Sequence, residues 1–120
     1  MNEYSGILSA PPEKRYKNFI STVVDRGVVW LLASDDGYAT YDDAGAIYLL
    51  VWPREEFAIQ FRQSGDIPEA VEIHDFCDRC KELFGLSNVN FMVFPNEENA
   101  YIVDAKKLYS DILEELERVE

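Results

Sequence analysis

The sequence has one histidine, two cysteines and no glycine-rich phosphate loop, which leaves little material for a catalytic centre. A Ser–His–Asp triad would need His74, and no Gly-x-Ser-x-Gly elbow accompanies it. The 23 Asp and Glu residues form many adjacent pairs, as chance alone predicts at that density. We therefore expect a non-enzymatic protein with no cofactor.

Long hydrophobic runs are also lacking. No stretch approaches the ~20 apolar residues that span a membrane. The first residues show no basic segment followed by an apolar one, so no signal peptide is indicated. Two cysteines without an export signal favour free thiols. These features predict a cytoplasmic protein with no membrane partner.

Basic residues are scarce, with 11 Lys and Arg against 23 Asp and Glu and a net charge of −12. Such a chain repels phosphate backbones, so we expect no nucleic-acid partner. It attracts a basic protein in a salt-dependent way. An acidic surface can also serve solubility alone.

Length and composition predict one domain over residues 1–120, with residues 1–8 loosely ordered. Of the 120 residues, 48% are hydrophobic, and seven Phe, seven Tyr and two Trp supply bulky core side chains. The domain should be stable without a disulfide or a metal.

Local patterns predict alternating clusters of strands and helices. The first helix is capped by Ser9, has Pro11 and Pro12 in its first turn, and ends at Gly27. Strands follow at Val28–Leu32, Tyr38–Tyr41 and Ile47–Val51, with tight turns at 35–37 and 42–45. Further elements are a helix from Pro53 to Gly65, a short strand Ala70–Ile73, a helix from His74 or Asp75 to Gly85, and a hairpin of Asn90–Phe94 with Tyr101–Val103. A last helix, capped by Asp104, buries Leu108, Ile112, Leu116 and Val119.

This order predicts an α+β fold. Short turns require antiparallel neighbours, so the first three strands form a meander. The meander and the C-terminal hairpin should build one antiparallel sheet with about four helices packed around it. An open edge strand would allow a homodimer, and a monomer is equally compatible with the pattern.

Four segments resemble, in order and spacing, a bacterial family known as domain of unknown function 2750. They are RYKNFISTVVDRGVVWLL, DDGYATYDDAG, VWPREEFA and VFPNEENAYIVDAKKL, and the similarity runs from about Arg15 to about Leu108. The most specific part is Val51-Trp52-Pro53 followed by Glu56-Phe57-Ala58. The resemblance implies a small intracellular bacterial α+β domain and no known reaction.

Two features depart from the family pattern. Similar proteins more typically have Trp where this chain has Tyr38. The pair Cys77 and Cys80 is not a family feature, so any role of these thiols would be particular to this protein.

The segment His74-x-x-Cys77-x-x-Cys80 is the one metal-like or redox-like cluster in the sequence. On a helix the three side chains spread over about 120°, and zinc would need a fourth ligand or an open position. A redox Cys-x-x-Cys usually follows a strand in a βαβ unit, which is not predicted here. The alternative is packing, with Cys80 in the core and Cys77 half-exposed.

Charge placement indicates a partner-binding surface. No Lys or Arg occurs between Arg26 and Arg54, and aspartates fill the two turns beside the second strand. The predicted surface consists of Asp35, Asp36, Tyr38, Tyr41, Asp42 and Asp43. Exposed tyrosines among carboxylates are typical of a site for a basic protein. The plainer interpretation is a pair of solvated turns beside core aromatics.

Three functions remain open from the sequence. The first is a protein-binding module, in its sharper form an immunity- or antitoxin-like inhibitor of a basic protein. The second is a small metal-binding or redox regulator that uses His74, Cys77 and Cys80. The third is a structural cytoplasmic domain without a specific partner.

Overall fold

The computed structural model describes residues 5–119, which form five helices and seven strands. The helices are α1 (Ser5–Leu8), α2 (Pro12–Arg26), α3 (Glu55–Ile59), α4 (Ile73–Glu82) and α5 (Ala105–Val119). The strands are β1 (Val28–Ser34), β2 (Gly37–Tyr38), β3 (Thr40–Asp43), β4 (Ala46–Val51), β5 (Ile67–Glu72), β6 (Val89–Val93) and β7 (Tyr101–Asp104). The predicted α+β class is confirmed.

The N-terminal region differs in part from the expectation. Residues 1–4, expected to be loosely ordered, lie outside the described residues, whereas residues 5–8 form the helical turn α1. Pro11 is the N-cap residue of α2, so the prediction of Ser9 as the cap is wrong. The Ser9 hydroxyl donates to the Gly6 carbonyl at 3.2 Å. Gly27 ends α2 in the left-handed conformation (φ 78°), as predicted.

The strands form two sheets where the sequence predicted one. The first has the order β2-β1-β5 and is antiparallel, and the second has the order β3-β4-β6-β7 with β4 and β6 parallel. The backbones of Trp30 and Trp52 exchange hydrogen bonds of 3.0 and 2.9 Å, which join β1 to the end of β4. The parallel pair escaped the sequence analysis because α3, β5 and α4 separate β4 from β6 along the chain.

The predicted strand Tyr38–Tyr41 divides between the two sheets at Ala39. The Ala39 N–H donates to Leu32 of β1 at 2.8 Å, and its carbonyl accepts from Leu50 of β4 at 3.5 Å. Both predicted turns are present, so the meander exists as two hairpins. Ala44 and Gly45 have φ values of 51° and 87°, typical of the type I′ turn that suits the twist of paired strands.

The connection from β4 to β6 passes through shorter or shifted elements. Helix α3 ends at Ile59, well before the predicted Gly65, and β5 lies at Ile67–Glu72 where Ala70–Ile73 was expected. Helix α4 begins at Ile73 because the Glu72 carboxylate caps it, accepting the N–H groups of His74 (3.0 Å) and Asp75 (3.3 Å).

Helix α5 begins directly after β7. The Asp104 carboxylate accepts the Lys107 N–H at 2.7 Å and caps the helix, as predicted. Leu108 and Ile112 are fully buried. Val119 was expected to face the core and is 56% exposed, so the core-facing stripe of α5 ends before its last turn.

The core lies between the four-stranded sheet and helices α2, α4 and α5. Tyr16 of α2 stacks on Tyr101 of β7 with ring centroids 4.2 Å apart, and Phe76 of α4 meets Phe91 of β6 at 5.6 Å. These contacts place the helices on one face of the sheet. Among the described residues, no helix combines the length and the apolar character needed to cross a bilayer.

Candidate functional site

The other face of the four-stranded sheet forms the candidate site. Paired residues of neighbouring strands point to the same side, and successive residues alternate between sides. Tyr41, Tyr48, Asn90 and Asp104 therefore form one row across β3, β4, β6 and β7. Leu50, Met92 and Ile102 form a second row next to this one. The pair Asp43 and Ala46 lies beyond the other edge of the first row, on the same face of the sheet. We call these nine residues the open face.

Exposure separates the two faces of this sheet. Phe91, Val93 and Val103 point toward the helices and are each at most 7% exposed. On the open face Tyr41 is 52% and Ile102 48% exposed, the two aspartates are exposed, and the remaining five residues are partly exposed. A sheet face with tyrosine and aliphatic side chains at this exposure is typical of an interaction site.

The aromatic part of the open face is a pair of tyrosines. Tyr41 and Tyr48 lie directly opposite each other on β3 and β4, with ring centroids 6.2 Å apart. Tyrosine offers a broad apolar ring and a hydroxyl that can accept or donate a hydrogen bond. A guanidinium or ammonium group can also bind over such a ring.

The charge of the four-stranded sheet has a single sign. Its strands come from residues 27–53 and 82–105, two stretches of the chain without Lys or Arg. Within these strands Asp42, Asp43 and Asp104 carry negative charge. The sequence analysis recognised only the first stretch, because the parallel pairing of β4 with β6 brings in the second.

The aspartates predicted to bind a partner are exposed and lie in two places. Asp35 and Asp36 are in the turn between β1 and β2, whereas Asp42 and Asp43 end β3. At about 3.3 Å per residue, the strand segment between them separates the pairs by up to ~20 Å. Within residues 5–119 none of the four forms an ion pair, so their charge is not neutralised locally.

Tyr38, also predicted to bind a partner, is engaged within the protein. Its hydroxyl forms a hydrogen bond to the Glu69 carboxylate and accepts one from the Arg79 guanidinium at 2.9 Å. Arg79 also lies over the ring, 5.4 Å from its centroid. Partial burial and the bond to Glu69 raise the pKa of Tyr38. Tyr41 and Tyr48 are the tyrosines of the open face.

A separate cleft of about 600 Å³ lies where the α1–α2 junction, the end of α3 and the loop after β6 meet. Its walls include the apolar Leu8, Pro11 and Phe61 together with Asn96 and Asn99. This volume is within the range of small-molecule sites, about 300–1,000 Å³.

Arg15 lies beneath that cleft and is 1% exposed. Its guanidinium donates to the carbonyls of Phe94 (3.0 Å), Ala10 (2.5 Å) and Asn99 (3.0 Å) and to Asn99 Oδ1 (2.6 Å). Burial lowers the pKa of this guanidinium, opposed by the nearby Glu98 carboxylate. Because its N–H groups are directed to protein oxygens, Arg15 connects three segments of the fold.

One feature of the sequence indicates that Arg15 faces the core. It is four residues before Phe19 and eight before Val23, so it continues the apolar stripe of α2. Arginine is almost never fully buried, which is why the sequence analysis did not place it inside.

Comparison of the sequence with known protein families identifies the family of this chain. Residues 16–112 match the family described as "Protein of unknown function (DUF2750)". The chain belongs to the DUF2750 family. No curated protein matches it significantly. The DUF2750 match covers most of α2, both sheets and the first half of α5, and therefore the whole open face.

The possible metal or redox residues of this DUF2750 protein do not converge. The His74 side chain is 72% exposed and meets the Glu72 carboxylate at 2.7 Å. Cys80 is fully buried and Cys77, expected to be half-exposed, is 7% exposed. Among residues 5–119 no three His, Cys, Asp or Glu side chains are grouped to hold a metal ion. Burial raises the pKa of Cys77 and raises that of Cys80 to about 12, which disfavours reactive thiolates.

Proposed function

We propose that this DUF2750 protein is a non-enzymatic binding module that engages a basic protein through the open face. The observation that carries the proposal is a sheet with no Lys or Arg in any strand, with exposed Tyr41 beside the unpaired Asp42 and Asp43. Such a surface attracts cationic side chains and offers aromatic rings for them to contact.

Electrostatics and packing contribute to different properties of the complex. The net charge of −12 speeds encounter with a cationic partner, and salt screens that attraction. Tyrosine side chains desolvated at the centre of an interface supply much of its binding energy. The acidic pairs at 35–36 and 42–43 then form a polar rim that selects for positive charge.

The open face is the centre of a larger contact. Four strands spaced by about 4.8 Å span about 14 Å. The open face is therefore narrower than the patch of ~800 Å² that each partner buries in a standard interface. A partner that covers the open face therefore also reaches the rim. Asp35 and Asp36 would join the contact there, although they lie far from Asp42 and Asp43.

The sharper proposal is an immunity- or antitoxin-like inhibitor that covers the active surface of a basic toxin in the cytoplasm. Its support is the combination of small size, strong negative charge and an uncovered aromatic sheet face. The hypothesis of a metal or redox regulator gains no support from the positions of His74, Cys77 and Cys80. If the capture experiment retains no basic protein, the hypothesis of a structural domain without a specific partner is favoured.

The experiment is a comparative capture from a lysate of the native cells. Three baits are used: the wild-type protein, a surface variant and a control variant that loses the same four charges elsewhere. The surface variant combines Asp35→Asn, Asp36→Asn, Asp42→Asn and Asp43→Asn. The control combines Asp25→Asn, Glu82→Gln, Glu114→Gln and Glu117→Gln, all of which are exposed on helices.

We expect the wild type and the control to retain the same basic protein at about 0.05 M salt and to release it near 0.5 M. The surface variant should retain much less of it. That protein is then purified and titrated against the three baits. Equal affinity for the surface and control variants, or no basic protein retained at low salt, would refute the proposal.

A further inference from the structure

In the part of the chain that the structure describes, the outer edge of β3 has backbone groups without a hydrogen-bond partner. Hydrogen bonds of 2.8 Å from Ile47 to Asn88 and from Phe94 to Val51 direct Ile47 and Val51 of β4 toward β6. By alternation, Ala46 and Tyr48 face β3, and the 3.5 Å bond from Leu50 to Ala39 agrees with this. Their partners Asp43 and Tyr41 therefore bond to β4. The N–H and C=O groups of Thr40 and Asp42 point away from the sheet.

The β5 edge has a different design. Leu32 of β1 directs its carbonyl to Ala39, away from β5. Its partner Pro68 therefore also turns its backbone outward, where proline has no N–H to donate. Proline at such a position prevents another strand from adding to the edge. β2 has only two residues, and β7 continues without a loop into α5.

We propose that an extended basic segment of the partner adds to β3 as a further strand, an inference that rests on the proposed function. All four residues of β3 are exposed, so no other element within residues 5–119 covers the edge. Asp42 and Asp43 point to opposite faces, and consecutive Lys or Arg residues of the added strand would meet one each. An arginine opposite Tyr41 can also stack on its ring.

The same charges disfavour a second copy of this chain as the occupant. In a pairing of β3 with β3, the adjacent aspartates of one strand would lie opposite or diagonal to those of the other. Like charges in that position destabilise strand pairing. A basic segment reverses the sign of every one of these interactions, so the charge of β3 selects a heterologous partner.

The test uses a capped synthetic peptide of about eight Lys, Arg, Val and Thr residues, long enough to form one strand. In Thr40→Pro the outward N–H of residue 40 is removed and all charges remain. Thr40→Val is the matched control, since it changes the side chain and keeps the N–H. We expect Thr40→Pro to weaken peptide binding about tenfold, the equivalent of one lost hydrogen bond, and Thr40→Val to change it little.

Amide hydrogen exchange of the wild type gives a second readout that does not depend on how the variants fold. Bound peptide should slow exchange at Thr40 and Asp42, whose N–H groups point outward, more than at Tyr41 and Asp43, which are bonded to β4. Failure of the peptide to bind would refute strand addition. Salt-dependent binding that leaves these amides unprotected and is not weakened by Thr40→Pro would also refute strand addition. That result would leave the proposed binding module unaffected.

Discussion

Replacing Arg15 by lysine should destabilise this protein much more than the same replacement at Arg26, the exposed arginine at the other end of the helix. The guanidinium reaches the carbonyls of Ala10, Phe94 and Asn99, and so holds the start of α2 against the loop after β6. That loop contains a strained residue, since Phe94 has φ 52° and is not glycine. Lysine keeps the charge and loses the planar fork that donates in several directions at once.

The size of the effect follows from these contacts. A hydrogen bond from a charged group contributes about 1.5–3 kcal/mol, and the four bonds of Arg15 are not additive because they share one side chain. Ala10 and Asn99 line the cleft, so water can replace the guanidinium there. Phe94 is fully buried, and its carbonyl would lose its partner. We expect a net loss of about 3 kcal/mol.

The assay is urea unfolding followed by far-UV circular dichroism, together with thermal unfolding. For a domain of this size, about 3 kcal/mol corresponds to a fall of about 10 °C in Tm. The control is Arg26→Lys, an exposed arginine at the other end of α2, with an expected change below about 0.5 kcal/mol. A fall of less than about 1 kcal/mol in the free energy of unfolding of Arg15→Lys would show that Arg15 does not hold α2 against the loop after β6.

Three further predictions concern single groups. Tyr16→Phe removes the 2.5 Å hydrogen bond from the Tyr16 hydroxyl to Asp111, and should cost about 1.5–3 kcal/mol by urea unfolding; a neutral result would contradict the bond. Hydrogen bonds from His74 lower the pKa of Glu72, so its stabilising effect is present above about pH 4.5 and is lost as the pH falls through the lower folded value. The unfolding free energy of Glu72→Gln should therefore fall less steeply in acid than that of the wild type, and parallel pH profiles would disprove this. Burial should keep Cys77 and Cys80 unreactive toward a thiol reagent at pH 8 until denaturant is added, and rapid labelling of the native protein would show the thiols to be accessible.

Local signals in the sequence were sufficient for most helices and turns. Gly27 ends α2, Asp104 caps α5 and the turn at Ala44-Gly45 joins β3 to β4, each through contacts within a few residues. The α+β class follows from the order of such elements, which is why it could be predicted.

Contacts between distant parts of the chain could not be predicted in the same way. The pairing of β4 with β6 sets the second half of the open face, and no periodicity indicates a parallel partner beyond two helices. The division of the Tyr38–Tyr41 segment at Ala39 depends on two strands meeting from different sheets. Of the open face, the sequence analysis therefore recognised Tyr41 and Asp43, whereas Tyr48, Met92 and Ile102 were missed.

Tyr38 and Cys77 show how a neighbour decides the role of a side chain. Tyr38 was predicted to face a partner, and the structure adds contacts of its hydroxyl with Glu69 and Arg79, more than 30 residues further along the chain. Cys77 was predicted to be half-exposed and is buried. Helical spacing alone does not show which elements cover a given side.

The most direct test of the binding surface is amide hydrogen exchange of the complex with the captured basic partner. The open face and its rim predict slower exchange on complex formation in residues 40–48 and 101–104, with little change in residues 8–12 and 96–99 around the cleft. Protection confined to the cleft, with residues 40–48 unchanged, would contradict the claim that this protein acts through the uncovered face of its four-stranded sheet.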